Sequence, residues 1–395
     1  MEHKKSVNNP KVLLSVVIVS YNCLSFLRLC LDSLLWLPDD RMEIFVVDNN
    51  SNDATVEVLR TYYPKVKVIA NEDNVGFGRA CNQAISQANG DYYLMLNPDT
   101  IVDENLVDNI LSFMKQHPQC GGMGAYMTDG KGEFLLESKR GLPTLFRSFC
   151  RFSGITRLFP RSSWLAGYYM GHLSIHEVNE VEILSGAFMV LRAQAVKKCG
   201  AFDERFFMYG EDIDLSWRLV KGGYKNYYNP MISIIHFKGE STVKDARYVK
   251  IFFGAMALFY DIHFNSGINR LMRPLVFLFT QLMSKIKEQQ LKRKEKNSWV
   301  EKKVREKNIL VTHDSADERF DNSKEWEMIK PHDTKDNWIT TWMDMATLKP
   351  SEAIWFVQKN GMNIPQLVWL DSRREEFFKV ISSEENTVIG LWKQN

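Results

Sequence analysis

Short apolar runs alternate with helically spaced segments through the first hundred residues, and few folds accept that pattern. "VLLSVVIV" (12–19) is apolar but for Ser15 and rich in β-branched residues, while "CLSFLRLCLDSLLWL" (23–37) spaces its apolar residues as a helix does. The alternation predicts further strands at 43–47, 65–70 and 92–96 and helices at 53–62 and 78–88. Strands that read as unbroken apolar runs are buried on both faces, so the chain is expected to form a mostly parallel sheet covered by helices, an α/β fold. Ligands of such sheets lie beyond the carboxyl ends of the strands. The residues there are "SYN" (20–22), "DNNSND" (48–53), "NEDNVGFG" (71–78) and "NPDT" (97–100), all polar.

Two of these ends carry an acid directly after the strand, Asp48 and Asp99. In "LMLNPDT" (94–100) Asp99 admits two readings. It could shape a turn, since Pro fixes φ and Asp bonds nearby backbone, or it could ligate a metal at the mouth of a nucleotide site. Four polar strand ends in one place favour the site. Asp48 has a similar choice, because "DNNSND" could cap the next helix through Ser51 or Asn52.

"NVGFGRACNQAI" (74–85) does not make a dinucleotide fingerprint: Cys81 stands where the third Gly belongs, and the segment follows the third strand. Its Gly-rich turn still offers backbone N–H groups to an anion at a helix start, and Arg79 adds charge. "YGEDIDLSWRLVKGG" (209–223) places Glu211 and Asp212 at a helix start, just after Phe206, Phe207, Met208 and Tyr209. Asp212 could be only a cap. Apolar surroundings, however, raise the pKa of a carboxyl group, which suits a general base. Downstream, 102–118 reads as an amphipathic helix, and 182–192 and 231–237 as strands, the last containing His236.

The bulk numbers exclude more than they assign. Net charge is only +2 over 395 residues, so nothing global points to a nucleic-acid partner. The six cysteines form no C-x-x-C pair, which argues against a zinc site or disulfide scaffold and fits a reducing cytoplasm. The apolar run after the basic "MEHKKSVNNPK" is too short for a signal peptide, and no run reaches the roughly 20 apolar residues of a membrane span.

Seven ordered pieces, "LSVVIVSYN", "VVDNNSND", "NVGFGRACN", "LNPDT", "LSGAFMVLR", "FDERFFMYGEDIDLSWR" and "IIHFKGEST", resemble a family 2 glycosyltransferase of the GT-A fold. The likeness covers about residues 12–290 and is nearest in kind to the bacterial rhamnosyltransferase-like branch that builds surface polysaccharides. It implies that Ser20, Tyr21 and Asp48 hold the base and ribose of a nucleotide-diphosphate sugar, with Asn74, Arg79 and Asn97 along the donor side. Asp99 would bind Mg²⁺ or Mn²⁺ on the diphosphate, His236 would approach the same metal, and Asp212 would be the base of an inverting transfer, with Glu211 the fallback. Asn97 stands where many relatives carry a first Asp, leaving one charged ligand fewer and a metal held mainly by the substrate.

Residues 139–170 hold six Arg or Lys, seven aromatics and no acid. Such a mixture suits an anionic membrane surface, though it could also stack on single strands of nucleic acid or simply pack on the sheet. Arg147, Arg151 and Arg157, with Trp217 farther on, are the expected acceptor and membrane patch. The resemblance supplies a lipid-linked glycan acceptor and hence a cytoplasmic protein, peripheral on the inner face of the membrane, with no nucleic-acid partner. The chain is expected to divide into a GT-A domain (1–245), a basic amphipathic helical region that associates with the membrane (246–297) and a small α/β region (298–395). The last region holds seven of the ten tryptophans, with strands expected at "NILVTH", "AIWFV" and "PQLVWL". A nucleotidyltransferase and a catalytically silent binding relative are the competing readings. The first would need a basic loop after the first strand, where "SYNCLSF" is neutral.

Overall fold

The computed structural model describes residues 11–36, 39–238, 246–264, 340–344, 349–360, 366–371 and 376–382, with scattered positions between 274 and 289. The expected order appears at the amino end. It runs β1 (Leu14–Ser20), α1 (Leu24–Leu34), β2 (Met42–Asp48), α2 (Thr55–Tyr62), β3 (Val66–Ala70), α3 (Phe77–Ile85) and β4 (Tyr92–Leu96). Next come β5 (Thr100–Val102), α4 (Leu106–Gln116), β6 (Cys120–Thr128), α5 (Leu145–Phe152), α6 (Ile155–Leu158), β7 (Asn179–Val181) and β8 (Phe188–Arg192). They are followed by α7 (Ala193–Cys199), α8 (Glu211–Lys221) and β9 (Lys225–His236).

Among the described residues these nine strands make one mixed sheet in the order β3-β2-β1-β4-β8-β6-β9-β5, with β7 also pairing β9. The first four strands are mutually parallel, and β8 joins β4 antiparallel. Two apolar layers explain the unbroken strand sequences. Leu14, Val16 and Ile18 point into one layer with Leu27, Val46 and Ile110, whereas Val17, Phe45 and Met95 point into the other with Ala80, Cys81 and Leu215. Fully burying one such large side chain contributes roughly 1.5–3 kcal/mol.

Parallel pairing aligns the strand ends. Ser20 registers with Asp48 and Asp48 with Ala70, while Ile18 registers with Leu96. The end of β9 then folds back beside β5, with His236 opposite Thr100. The turns after β1, β2, β4 and β9 therefore share one edge of the sheet.

The chain divides into two compact units, Met1–Thr242 with Trp342–Asn395, and Val243–Thr341. Within the first unit α10 (Pro350–Asn360) packs Ala353, Ile354 and Val357 on Phe26, Leu29, Ile101, Ile235 and Phe237, and Ser351 bonds the Glu104 carboxylate. "AIWFV" is thus part of a helix, not the expected strand, because its apolar residues serve one helix face. The segment around "PQLVWL" does form a strand, Gln366–Asp371, antiparallel to Glu376–Ser382, in a separate sheet with Thr340–Asp344. "NILVTH" lies outside the described residues. In the second unit α9 (Ala246–His263) buries Val249, Phe253 and Phe259. Among the described residues, no helix is long and apolar enough to cross a membrane. All six cysteines are free thiols.

Candidate active site

The loops after β1 and β2 are knitted together by side chains. Asp48 is buried and accepts from both the backbone N–H (2.9 Å) and the hydroxyl (2.6 Å) of Ser51. Ser51 Oγ accepts the Asn22 N–H (2.9 Å), and the Asn22 side chain accepts the Asn52 N–H (2.7 Å). Neither Ser51 nor Asn52 caps α2, which starts later at Thr55, where Asp53 accepts from the Thr55 N–H (3.1 Å). Asp48 therefore builds the loop that presents the exposed Tyr21 at the strand ends, whereas Ser20 is fully buried with its hydroxyl 3.5 Å from Cys23 Sγ.

The Gly-rich turn is real but its charge is engaged. Gly76 has φ +85°, a conformation that L side chains rarely adopt, and any side chain there would collide with Phe207. Asn74 accepts the Gly76 N–H (3.1 Å) and so shapes the turn. Arg79, expected along the donor diphosphate, is instead ion-paired at the surface with Glu204 (2.9 Å), a carboxylate that Asn82 also contacts. An acid distant in sequence claims the guanidinium.

At the end of β4 the turn and the carboxylate have separate jobs. The Thr100 hydroxyl closes the turn on the Asn97 carbonyl (2.8 Å). The Asp99 carboxylate, almost fully buried, lies with its Oδ1 3.3 Å from His236 Nε2, and the Asn97 amide nitrogen is 3.2 Å from the same ring nitrogen. Burial alone does not mark this acid as functional. Glu43, buried at the opposite end of β2, is bonded by Ser15, Lys67 and the Asn89 N–H in a purely structural network. Asp99 differs in facing a histidine at the ligand-binding edge. Among the described residues no group of three or more His, Cys, Asp or Glu side chains converges to hold a metal. One carboxylate and one imidazole fit a divalent cation that takes its remaining ligands from substrate oxygens.

The acids of α8 divide by environment. Gly210 (φ +87°), not Asp212, occupies the N-cap position. Asp214 is fully buried and paired with Arg218 one turn on, whose guanidinium also satisfies the Cys199, Gly200 and Ala201 carbonyls. Asp212 is held from three sides: Oδ2 pairs with Arg140 and accepts the Gly186 N–H (3.2 Å), while Oδ1 accepts the Ile213 N–H (2.8 Å). Burial pulls the Arg140 pKa down, but the charge and hydrogen bond of Asp212 more than offset this and leave it above its ordinary value. Glu211, in this apolar setting, has a raised carboxyl pKa. Burial, then the neighbouring Asp212 charge, pushes it up to about 8, and its Oε2 has no hydrogen-bond partner among the described residues. Burial and the Asp212 charge thus favour the protonated form of Glu211.

A backbone bridge joins the two centres. Asn97 N–H donates to the Ala187 carbonyl (3.0 Å), and the preceding residue, Gly186, donates to Asp212. The Asp99–His236 pair and the Asp212–Arg140 pair thus border the same stretch of sheet edge. Arg140 is the member that local sequence does not single out. It stands in the basic 139–170 stretch, and only its pairing across the fold reveals its place.

That stretch is also less basic at its surface than its sequence suggests. Arg147 pairs with Glu182, and Arg151 lies over the Tyr169 ring, 5.0 Å from its centroid. Lys139 is buried against the Leu173 carbonyl, and burial lowers its pKa to about 8. Arg157 is exposed as expected, whereas Trp217 belongs to α8 and is covered by Lys221, 5.4 Å from the ring centroid.

Glu211 makes a testable prediction for stability. Its carboxyl is protonated in both folded and unfolded chains below about pH 4.5 and must ionise at a raised pKa in the folded chain. Its contribution is fully present below the unfolded pKa and is lost as pH rises through about 8, by at most about 1.4 kcal/mol per pH unit. Glu211→Gln should remove that dependence, so its thermal midpoint should gain on the wild type steadily between pH 5 and 8. Parallel midpoint curves would show that Glu211 is already ionised at neutral pH.

Comparison with known proteins identifies the family. A family model described as Glycosyl transferase family 2 matches residues 15–198. Over 243 residues the chain is 31% identical to the N-acetylglucosaminyl-diphospho-decaprenol L-rhamnosyltransferase of Mycobacterium tuberculosis (strain ATCC 25618 / H37Rv), covering 59% of this chain and 78% of that protein. The chain belongs to glycosyltransferase family 2. It is accordingly a glycosyltransferase, and its fold is the GT-A arrangement. A second relative is the poly-beta-1,6-N-acetyl-D-glucosamine synthase of Staphylococcus aureus (strain N315), 26% identical over 224 residues, or 55% of this chain and 48% of that one. The match therefore spans about half the length of the synthase. Among solved structures, the Pyrobaculum calidifontis mannosyltransferase in complex with GDP-Man and Mn²⁺ is similar at 15% identity and TM-score 0.44, covering 68% of this chain and 69% of that one.

Proposed function

We propose that this family 2 glycosyltransferase moves a hexose, rhamnose or a similar sugar, from a nucleotide-diphosphate sugar to a lipid-linked glycan, with inversion at the anomeric carbon. The catalytic groups all fall within the expected 1–245 domain. The observation that carries the reading is the shared sheet edge, where Asp99 with His236 and Asp212 with Arg140 are joined through the Asn97–Ala187 and Gly186–Asp212 bonds. Ser20, Tyr21 and the Asp48 loop form the nucleoside end. Asn97, Asp99 and His236 form the diphosphate end, where Asp99 and His236 would hold Mg²⁺ or Mn²⁺. A bound cation supplies charge neutralisation to the departing diphosphate.

Asp212 takes the proton of the acceptor hydroxyl as that oxygen attacks the anomeric carbon. The bond to the diphosphate oxygen breaks with its electron pair, so nucleoside diphosphate leaves and a single displacement inverts the centre. Arg140 holds the carboxylate in place and balances its buried charge. The Mycobacterium tuberculosis relative's name, an L-rhamnosyltransferase of a diphospho-decaprenol substrate, supports the donor sugar and acceptor class. A lipid-linked acceptor in turn supports a peripheral position on the inner face of the membrane.

The test is transfer by purified protein. Nucleotide-diphosphate sugars are first ranked by thermal shift with and without Mn²⁺, since a ligand at one hundred times its Kd adds about 2.7 kcal/mol of stability. The best donor is then offered an N-acetylglucosaminyl-diphosphate lipid. An inverted glycosidic product is expected. A retained configuration would remove the single displacement, and a stabilising donor that is neither transferred nor hydrolysed would make the chain a binding relative.

A further inference from the structure

The segment between Gly141 and Tyr168 wears its apolar side outward. Thr144 caps α5 by accepting the Arg147 N–H (3.3 Å). The helix then buries the small residues Ser148 and Cys150 while leaving Phe146 and Phe149 about half exposed. This reverses the usual arrangement, in which a surface helix buries its aromatics. The surface continues through α6 and the following turn, where Leu158 is 75% exposed, Phe159 53% and Trp164 78%. Phe146 and Trp164 meet edge to face at 6.2 Å between centroids, so the two stretches form one patch.

Its charge has one sign. No acid occurs from residue 138 to 176, and Arg157 and Arg161 are both exposed beside the apolar residues. Exposed aromatics flanked by arginines complement an anionic lipid surface, where the rings enter the headgroup boundary and the cations meet phosphate. The segment is also anchored beside the catalytic base. The Tyr168 carbonyl accepts the Gly141 N–H (3.0 Å), next to Arg140, which pairs with Asp212.

We propose that α5, α6 and the Trp164 turn are the bilayer-docking face of this enzyme, with Phe149, Leu158, Phe159 and Trp164 inserted and Arg157 and Arg161 on anionic headgroups. This rests on the membrane-surface position proposed above and names the element responsible. It differs from the sequence expectation in giving the leading role to aromatics, since Arg147 and Arg151 are engaged within the protein.

Co-sedimentation of the full chain with two kinds of vesicle tests it, pure phosphatidylcholine and a phosphatidylcholine–phosphatidylglycerol mixture. The combined Phe149→Ser, Leu158→Ser and Trp164→Ser variant should lose at least about tenfold in partitioning to both. Arg157→Gln with Arg161→Gln should lose roughly thirtyfold on the anionic vesicles alone, at about 1 kcal/mol per basic residue. Turnover of a water-soluble, short-tailed acceptor should be unchanged in the serine variant, because its replaced side chains are exposed. Wild-type protein that ignores both vesicles would overturn the membrane position itself. Equal sedimentation of wild type and serine variant would overturn this face while leaving that position standing. Light scattering adds a third outcome: a wild-type oligomer that the serine variant disperses would make the face an interface between copies and refute the proposal.

Discussion

Asp212→Asn is expected to lower transfer by roughly 10²–10⁴, the usual worth of a positioned base, while donor affinity stays near wild type. An acceptor hydroxyl is a weak nucleophile until its proton begins to leave, and an amide cannot receive that proton. The Asn side chain keeps the shape, and its one oxygen can still accept from Arg140 and Gly186 or, flipped, from Ile213. Arg140 would then face a neutral partner, so some stability is lost, but less than the roughly 3–5 kcal/mol of a buried ion pair with one partner removed. Single-turnover rates with donor and acceptor saturating, on protein shown by donor binding to be folded, decide the matter. Normal turnover would make Asp212 merely the anchor of Arg140. Glu211→Gln belongs in the same series. With Asp212 as the base, that variant should give a much smaller loss.

Asp99→Ala should reduce metal-dependent transfer by roughly 10²–10³, comparable to losing one group that stabilises transition-state charge. The departing diphosphate needs its charge neutralised, and Asp99 is the acid that lies 3.3 Å from His236 at the candidate diphosphate end. Stabilisation by nucleoside diphosphate should fall in the presence of Mn²⁺ and change little without it, a split that a turn residue would not produce. The turn itself should survive, because the Thr100 hydroxyl closes it on Asn97. Turnover that follows the wild-type Mn²⁺ titration would return Asp99 to a structural role.

The strand and helix order through residue 96 was legible because the inner strands β1, β2 and β4 feed both apolar layers while the helices each turn one face to the sheet, and those two periods are written directly in the sequence. Polar strand ends pointed to the candidate site for the same reason: parallel register puts consecutive ends side by side, as Ser20 and Asp48 show. The ordered motifs then identified the family. Pairings between distant segments were decided only by the tertiary structure. Arg140 reaches Asp212 across 72 residues, Glu204 claims Arg79 across 125, and His236 meets Asp99 because β9 folds back antiparallel to β5. Local composition counts the charges in a segment but not their partners, so six basic residues read as one patch when several are spent inside the fold. The same limit applies to the partners of buried acids. Glu211 and Asp212 are neighbours in sequence, yet Asp212 has a buried cation beside it and Glu211 has an oxygen with no partner among the described residues, and only the packing around α8 tells them apart.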